Sequence, residues 1–325
     1  MNQDTALRQD TIDWFSRKRG GHMQKYMFGT IPRPDGRTGA SLWHEFLRVQ
    51  KDYYIIEAEA SMIPGLTRAL GKNFDTIVEF GVGDEHSLRT KTLPIISSQP
   101  LLERYRGFDI SSDQLAFAEE FLREHAPHVT MESIVGDFYG NPITPKGNHV
   151  LGLCLGSTIS NLDIMAGEPF PAQTLVENVG TLLKASKGSE DGSLGFSFDA
   201  SRDFNRTVQV YTHPVTQKFV TGVMYDIKSV LKPEGNYDPA KWQYHALVDE
   251  DNYVIQNGVV PLSNQNFSIG GHNFNFKPGD APLIIVNAFK IPLDVMLGIL
   301  DEAKVKCCSD PIRSNDHPMV MLEIA

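Results

Sequence analysis

Cysteine is scarce in this chain. Three cysteines occur in 325 residues, Cys154, Cys307 and Cys308, an odd number without the spacing of a disulfide framework or a zinc site. Cys154 falls in an apolar run and reads as a core thiol, and the adjacent pair reads as a strand end. A reducing cytoplasm is the expected compartment. No apolar run approaches the ~18 residues of a membrane span, and the N-terminal Met-Asn-Gln-Asp-Thr-Ala-Leu-Arg lacks the apolar core of a secretory signal. No membrane partner is expected. Positive charge is also short. Lys and Arg number 30 against 40 Asp and Glu, a formal net charge of −10, which disfavours nucleic acid. The ten histidines never take the H-x-x-x-H spacing that sets two ligands on one helix face, so no metal is expected. Gly156-Ser-Thr-Ile-Ser160 lacks the second glycine of a nucleophile elbow, which leaves a hydrolase triad unsupported. A small molecule is the partner that fits, bound by a monomer or a homodimer.

Hydrophobic residues make up 41% of the chain and charged residues 22%, ordinary for a globular protein. The length suffices for one large α/β domain and a smaller lobe. Apolar runs at 76–80, 104–109, 129–135, 150–155 and 193–198 alternate with segments long enough for helices, the pattern of parallel βαβ units. Residues 1–25 are polar and mixed in charge and read as a frayed arm or short helix. Residues 41–47 form an amphipathic helix with Ser41 as a possible cap, and 55–70 another, interrupted or entered near Pro64-Gly65. Arg33, Arg37 and Lys51 read as a solvated basic face. From 206 to 282 the chain is rich in Asn, Gln, Tyr and His, with short strands expected near 244–248, 253–256 and 274–276. Leu283–Lys290, a helix from Pro292 and a last strand at 319–324 are expected to return to the large sheet. The expected division is 60–205 plus 283–325 for the sheet domain, and 1–59 plus 206–282 for the lobe.

Four pieces carry the chemistry. Thr76-Ile-Val-Glu-Phe-Gly-Val-Gly83 is a buried strand that breaks into a glycine turn. Arg106-Gly-Phe-Asp109 ends a second strand, with its acid 26 positions beyond Gly83, close to the ~20-residue spacing of a ribose-binding carboxylate. Val135-Gly-Asp-Phe138 ends a third, and Leu151-Gly-Leu-Cys-Leu-Gly-Ser-Thr-Ile-Ser-Asn161 is a fourth strand with a polar loop. Together they place a nucleoside along the carboxyl edge of a parallel sheet. Glu79, Gly81 and Gly83 form the first turn, where glycine permits close approach and positive φ. Asp109 accepts ribose hydroxyls or caps the helix before Ser111. Asp137 and Phe138 face an adenine, or are a turn acid and a core ring. Ser157 lies on the same edge. A nicotinamide dinucleotide needs a third glycine and a helix start open to phosphate. Here Asp84-Glu85-His86 follow Gly83, and two acids there suit a cationic sulfonium better than a pyrophosphate.

This order resembles an S-adenosylmethionine-dependent methyltransferase, and Leu155-Gly-Ser-Thr-Ile-Ser-Asn161-Leu makes the resemblance specific. It is similar to the fourth-strand motif of the histidine-specific Nα-methyltransferase family, which includes the histidine methyltransferase of ergothioneine biosynthesis and the dimethylallyltryptophan N-methyltransferase. Asp52-Tyr53-Tyr54, with Glu57 and Glu59 after it, matches that family's acid-Tyr-Tyr motif. Asp199-Ala-Ser-Arg-Asp-Phe-Asn-Arg-Thr-Val-Gln-Val-Tyr211 has similar spacing to its strand-end aspartate and substrate tyrosine. The resemblance implies a Rossmann-like α/β domain with a seven-stranded sheet, a smaller α+β substrate-binding lobe, and S-adenosyl-L-methionine as cofactor. It implies that Tyr53, Asn161 and Tyr211 hold the amino acid end of the acceptor and serve catalysis.

Two departures bear on the acceptor. Where the family presents a glutamate and a serine to an imidazole, Leu283-Ile-Ile-Val-Asn-Ala-Phe289 aligns Ile285 and Asn287. Phe28 stands where the family has a tyrosine. Isoleucine cannot bond an imidazole N–H, and burying that group unpaired costs ~1–3 kcal/mol. The reading is an N-methyltransferase for an amino acid or derived amine, aromatic or indole rather than histidine, in secondary metabolism, with Asn287 accepting an indole N–H. The alternatives are a histidine Nα-methyltransferase, an NAD(P)-dependent oxidoreductase, and a silent S-adenosylmethionine-binding protein.

Overall fold

The computed structural model describes residues 3–325 apart from 30, 51–52, 71–73, 141–142, 145 and 316. Asp52 of the acid-Tyr-Tyr motif and Lys51 of the basic cluster lie outside the described residues. Thirteen strands are formed among those described: β1 (Thr76–Phe80), β2 (Arg104–Asp109), β3 (Thr130–Val135), β4 (His149–Cys154), β5 (Asp191–Asp199), β6 (Glu234–Asn236), β7 (Trp242–Asp249), β8 (Val254–Pro261), β9 (Gln265–Ile269), β10 (His272–Phe276), β11 (Leu283–Phe289), β12 (Ile312–Arg313) and β13 (Met319–Ile324).

The chain divides into two compact units. The first comprises Tyr54–Ser160, Ala172–Ser201 and Lys290–Ala325. It is built on a seven-stranded sheet of order β12-β13-β5-β4-β1-β2-β3. β1 to β5 run parallel, while β13 is antiparallel to β5 and β12 antiparallel to β13. The fold is therefore α/β, with a mostly parallel sheet. β1 is buried along its whole length, as a central strand covered on both faces must be, and Ile77, Val78, Phe80, Leu151, Leu153 and Phe196 fill its core. The helix Ile55–Ala69 runs through Pro64 without a break. Pro64 is exposed, so the carbonyl deprived of its partner faces the outer side of the helix, where water can satisfy it.

The second unit comprises Met1–Tyr53, Asn161–Pro171 and Arg202–Phe289. It holds two three-stranded antiparallel sheets, β10-β9-β6 and β11-β8-β7, and the helices Phe204–Tyr211, Pro214–Thr221 and Val223–Leu231. Of the two readings of the N-terminal segment, the helix holds and the frayed arm does not. The segment forms the helix Gln3–Phe15 and buries Trp14 and Phe15. The Phe15 ring lies against Trp14, Tyr237, Trp242, Phe267, Phe274 and Phe276, a large apolar contribution invisible in the polar composition around it. The helix Gly39–Val49 starts two residues before its expected start. Thr38 is its cap, in a capping box with Ser41 at the third helical position.

Two expectations are corrected. Leu283–Phe289 does not return to the large sheet. It pairs with β8, because an apolar run specifies a strand but not its neighbour. Arg33 is not part of a solvated face. It is 7% exposed and lies 3.7 Å from Asp226, whose carboxyl burial pushes up to about 7 against the opposing effect of that guanidinium.

Candidate active site

In the first unit, β2 and β3 lie on one side of β1, and β4 and β5 on the other. The strand order thus reverses between β1 and β4, and in open parallel sheets ligands bind outside the carboxyl ends at that switch point. The turns there are the predicted ones. Gly81 and Gly83 have φ of 85° and 70°, which a side chain would oppose. The N–H of Gly81 donates to the Phe108 carbonyl at 2.7 Å. A Cβ on Gly81 would find no atom nearer than Thr158 Oγ1 at 4.0 Å, so open space lies between the β1 turn and the β4 turn. Asp84 caps the short helix that follows, accepting from the Ser87 N–H at 2.9 Å.

Asp109 organises the edge. Its Oδ2 accepts from Val82 N–H at 3.2 Å and its Oδ1 from Ser111 N–H at 2.8 Å. Its carbonyl accepts from Gly136 N–H at 2.9 Å. The helix cap is Ser111, which accepts from Gln114 N–H, so Asp109 does not fill that role. Burial pushes its carboxyl above the ordinary value, with the backbone donors opposing. Asp137 accepts from Tyr139 N–H at 3.0 Å. The Phe138 ring stands against Phe80, Phe108 and Tyr139 and keeps part of its surface exposed. Ser157 adopts φ 59°, its N–H pointing to Ser197 Oγ at 3.4 Å and its Oγ accepting from Asp199 N–H at 3.2 Å.

Glu79 lies differently from the other predicted ligand residues. It is buried, and its carboxylate accepts from Thr92 Oγ1 at 2.9 Å and Tyr105 Oη at 2.7 Å. Burial pushes it up to about 7, opposed by those two hydroxyls. The arrangement makes Glu79 a support beneath the turn.

In the second unit, Phe28 and Tyr53 meet on a common ring. Trp43 lies 5.7 Å from Phe28 and 5.9 Å from Tyr53, edge to face in both cases, and Phe46 and Phe219 complete the cluster. Phe28, Trp43 and Tyr53 each keep exposed surface. Tyr211 ends the helix Phe204–Tyr211 and lies near Tyr244, whose hydroxyl is pushed up by burial and by that neighbour. Tyr244 donates to Asn257 Oδ1 at 2.6 Å. Asn161 is half-buried and precedes Leu162.

Ile285 and Asn287 do not present themselves as expected. β11 has an irregularity between Ile284 and Val286, and Ile285 there belongs to the apolar core with no exposed surface. Asn287 is 1% exposed. Its Nδ2 donates to the carbonyls of Leu162 at 2.9 Å and Ile164 at 3.2 Å, and its Oδ1 accepts from Gln256 Nε2 at 2.9 Å. Its amide hydrogens are committed to the backbone. Asn287 therefore holds the segment that carries Asn161, and its Oδ1, the atom that would read an indole N–H, is buried against Gln256.

Glu59 follows the acid-Tyr-Tyr motif without an assigned role, yet it is a fully buried acid bonded to Lys91, Gly156 and Ser197. It stands among Ile55, Ala58, Met62, Ile63 and Leu66 on the buried stripe of its helix. An acid at an apolar position of an amphipathic helix was the visible clue. Trp43 was likewise missed, because one aromatic on a helix face reads as core. Among the described residues no three His, Cys, Asp or Glu are grouped to hold a metal, and no helix is long and apolar enough to cross a membrane.

The sheet order and its glycine turns define the class, a Rossmann-like methyltransferase fold. The family model described as histidine-specific, S-adenosylmethionine-dependent methyltransferase matches residues 24–317. The chain belongs to that family, and its cofactor is S-adenosyl-L-methionine, which sets the nicotinamide alternative aside. The uncharacterized protein y4iF of Sinorhizobium fredii (strain NBRC 101917 / NGR234) is 28% identical over 229 residues, 66% of this chain and 69% of that protein. Similar solved structures include an S-adenosylmethionine-dependent methyltransferase from Clostridium acetobutylicum ATCC 824, with TM-score 0.47, 11% identity and coverage of 88% of this chain and 97% of that one. The CcbJ methyltransferase from Streptomyces caelestis has TM-score 0.41, 11% identity and coverage of 82% and 93%.

The residues fit the cofactor. Gly81 opens a space that a side chain would enter, and Asp109 retains lone pairs beyond its two backbone bonds. The acids at Asp84 and Glu85 are compatible with a cationic ligand and not with a phosphate.

Proposed function

We propose that this methyltransferase acts on the amine of an amino acid or amino-acid-derived small molecule with an aromatic or indole side chain. The observation that carries the acceptor reading is the partly exposed cluster of Phe28, Trp43 and Tyr53, in a unit where the positions aligned with the imidazole readers are an apolar, buried Ile285 and a buried Asn287 bonded to Gln256 and Leu162. Aromatic faces recognise flat apolar side chains by offset and edge contacts, and they tolerate the positive charge an amine keeps or gains on methylation.

In this reading Gly81, Gly83, Asp109, Asp137, Phe138 and Ser157 hold the cofactor, with Glu79 beneath them. The bound cofactor supplies an electrophilic methyl group on a sulfonium. Tyr53 and Tyr211 bind the acceptor carboxylate through their hydroxyls, and Asn161 accepts from its amine while donating to its carboxylate. Their contribution is orientation, which converts an encounter into a fixed in-line approach. The amine must arrive neutral or lose its proton within the site. Phe28, in place of a tyrosine, removes one hydroxyl that could relay that proton, which passes to solvent water directly or through the hydroxyl of Tyr53 or Tyr211 as that hydroxyl gives up its own.

The test is incubation with S-adenosylmethionine and a mixture of amino acids and aromatic amines, followed by mass spectrometry for gains of one to three methyl groups. A methylated aromatic amino acid or indole amine is expected. Methylation of histidine in preference to these would overturn the acceptor reading and favour the substrate that the family description carries.

A further inference from the structure

We propose that Glu59 and Lys91 act together as positioning residues for the cofactor edge, holding the β4 turn in the left-handed conformation that keeps the switch-point crevice open. This rests on the cofactor site described above.

Glu59 has no exposed surface. Its Oε1 accepts from Gly156 N–H at 2.5 Å and from the Ser197 hydroxyl. Its Oε2 accepts from Lys91 Nζ at 2.8 Å. Ser197 in turn lies on the Ser157 N–H, and Ser157 Oγ takes the Asp199 N–H. One carboxylate thus ties the helix Ile55–Ala69, the end of β5 and both residues of the β4 turn. That turn needs holding. Gly156 and Ser157 have successive φ values of 74° and 59°, and a serine there is unfavourable unless its surroundings impose the conformation.

Lys91 reaches Glu59 from the helical segment that follows the other glycine turn. It lies in Leu88–Thr92, a π-helical segment following the helix start after Gly83. Such widened turns are concentrated at functional sites. Here Lys91 and Thr92 are both buried, Lys91 bonded to Glu59 and Thr92 to Glu79. The two sides of the crevice are therefore connected beneath it by Lys91–Glu59–Gly156. Replacing such a buried pair by apolar residues of similar volume is often neutral or stabilising. Stability alone does not explain the pair, whereas fixing two turns at one edge does.

The test measures S-adenosylhomocysteine binding by calorimetry well below the melting temperature, on three variants beside the wild type. The double variant Glu59→Leu/Lys91→Met removes the acceptor without leaving a buried charge. It is expected to stay folded and to bind at least about tenfold more weakly. Glu59→Gln/Lys91→Met restores an acceptor oxygen for Gly156 and is expected to recover most of that loss. A purely structural role would change melting without this loss and rescue. Wild-type affinity in the leucine–methionine variant overturns the proposal. If that variant does not fold, Ser197→Ala decides. It removes the shared hydroxyl and is expected to weaken binding several-fold, and unchanged affinity overturns the proposal. Asp109→Ala, measured in parallel, separates the two layers. Unchanged binding there defeats the cofactor site itself, while loss there with wild-type binding in Glu59→Leu/Lys91→Met defeats only the positioning role.

Discussion

The Val82 N–H donates to Oδ2 of Asp109 at 3.2 Å, so the acid that ends β2 grips the turn that ends β1. The same carboxylate is the candidate ribose acceptor. Binding and turn geometry are therefore linked through one side chain. Asp109→Ala is expected to weaken S-adenosylhomocysteine affinity by at least about tenfold, through lost ligand bonds and a loosened turn. Asp109→Asn, which keeps one acceptor oxygen, should lose less. Calorimetry on both variants checks the order, and equal losses would separate the turn from the ligand.

The two glycines of that turn should respond differently to alanine. At Gly83 a methyl group would sit 2.8 Å from Ser87 Cβ and would also oppose φ 70°. At Gly81 only the backbone conformation resists, since the space is open to 4.0 Å. Gly81→Ala is expected to cost ~1–2 kcal/mol of stability, and Gly83→Ala ~1–3 kcal/mol more for the crowding. Urea denaturation measures both. A smaller loss at Gly83 would mean that Ser87 moves freely.

Glu79 predicts a pH dependence. Burial raises its folded value to about 7 from an ordinary 4.5. The folded protein then binds more protons than the unfolded chain between those values, so stability falls as pH rises from about 4.5 to about 7 and levels off above it. Asp226, also raised to about 7, acts in the same direction. Glu79→Gln should flatten the slope without abolishing it. Melting temperatures between pH 5 and 8 for both proteins check this, and parallel curves would show that Glu79 is ionised throughout.

The positions aligned with an imidazole reader predict stability effects before specificity effects. Ile285→Glu would place a carboxylate in an apolar core with no partner supplied. It should cost several kcal/mol or neutralise the carboxyl, not simply redirect the enzyme toward histidine. Asn287→Ala leaves the Leu162 and Ile164 carbonyls without their donor and should cost ~1–3 kcal/mol. Chemical denaturation checks both, and a stable, histidine-active Ile285→Glu would show that β11 faces the acceptor after all.

The parallel strands were legible because most of the inner positions of β1, β2, β4 and β5 are apolar, and a glycine or an acid closes each parallel strand or follows within two residues. The expected runs at 76–80 and 104–109 coincide with β1 and β2. The aromatic contribution of Trp14 and Phe15 was hidden by polar neighbours. Arg33 was misread because a basic residue beside prolines and glycines has the composition of a surface loop, while its partner Asp226 lies far along the chain.

By itself the sequence determined what local chemistry determines: glycine at Gly81 and Gly83 where φ must be positive, an acid at Asp109 after the second strand, and the period of the strands. Tertiary structure alone decided which groups meet. It gave β11 to β8 instead of the large sheet, turned Asn287 onto backbone carbonyls, and brought Glu59 to Gly156 and Lys91. Strand partners and buried polar contacts join residues remote in sequence, and their energies depend on desolvation and on geometry fixed only once the chain has closed around them.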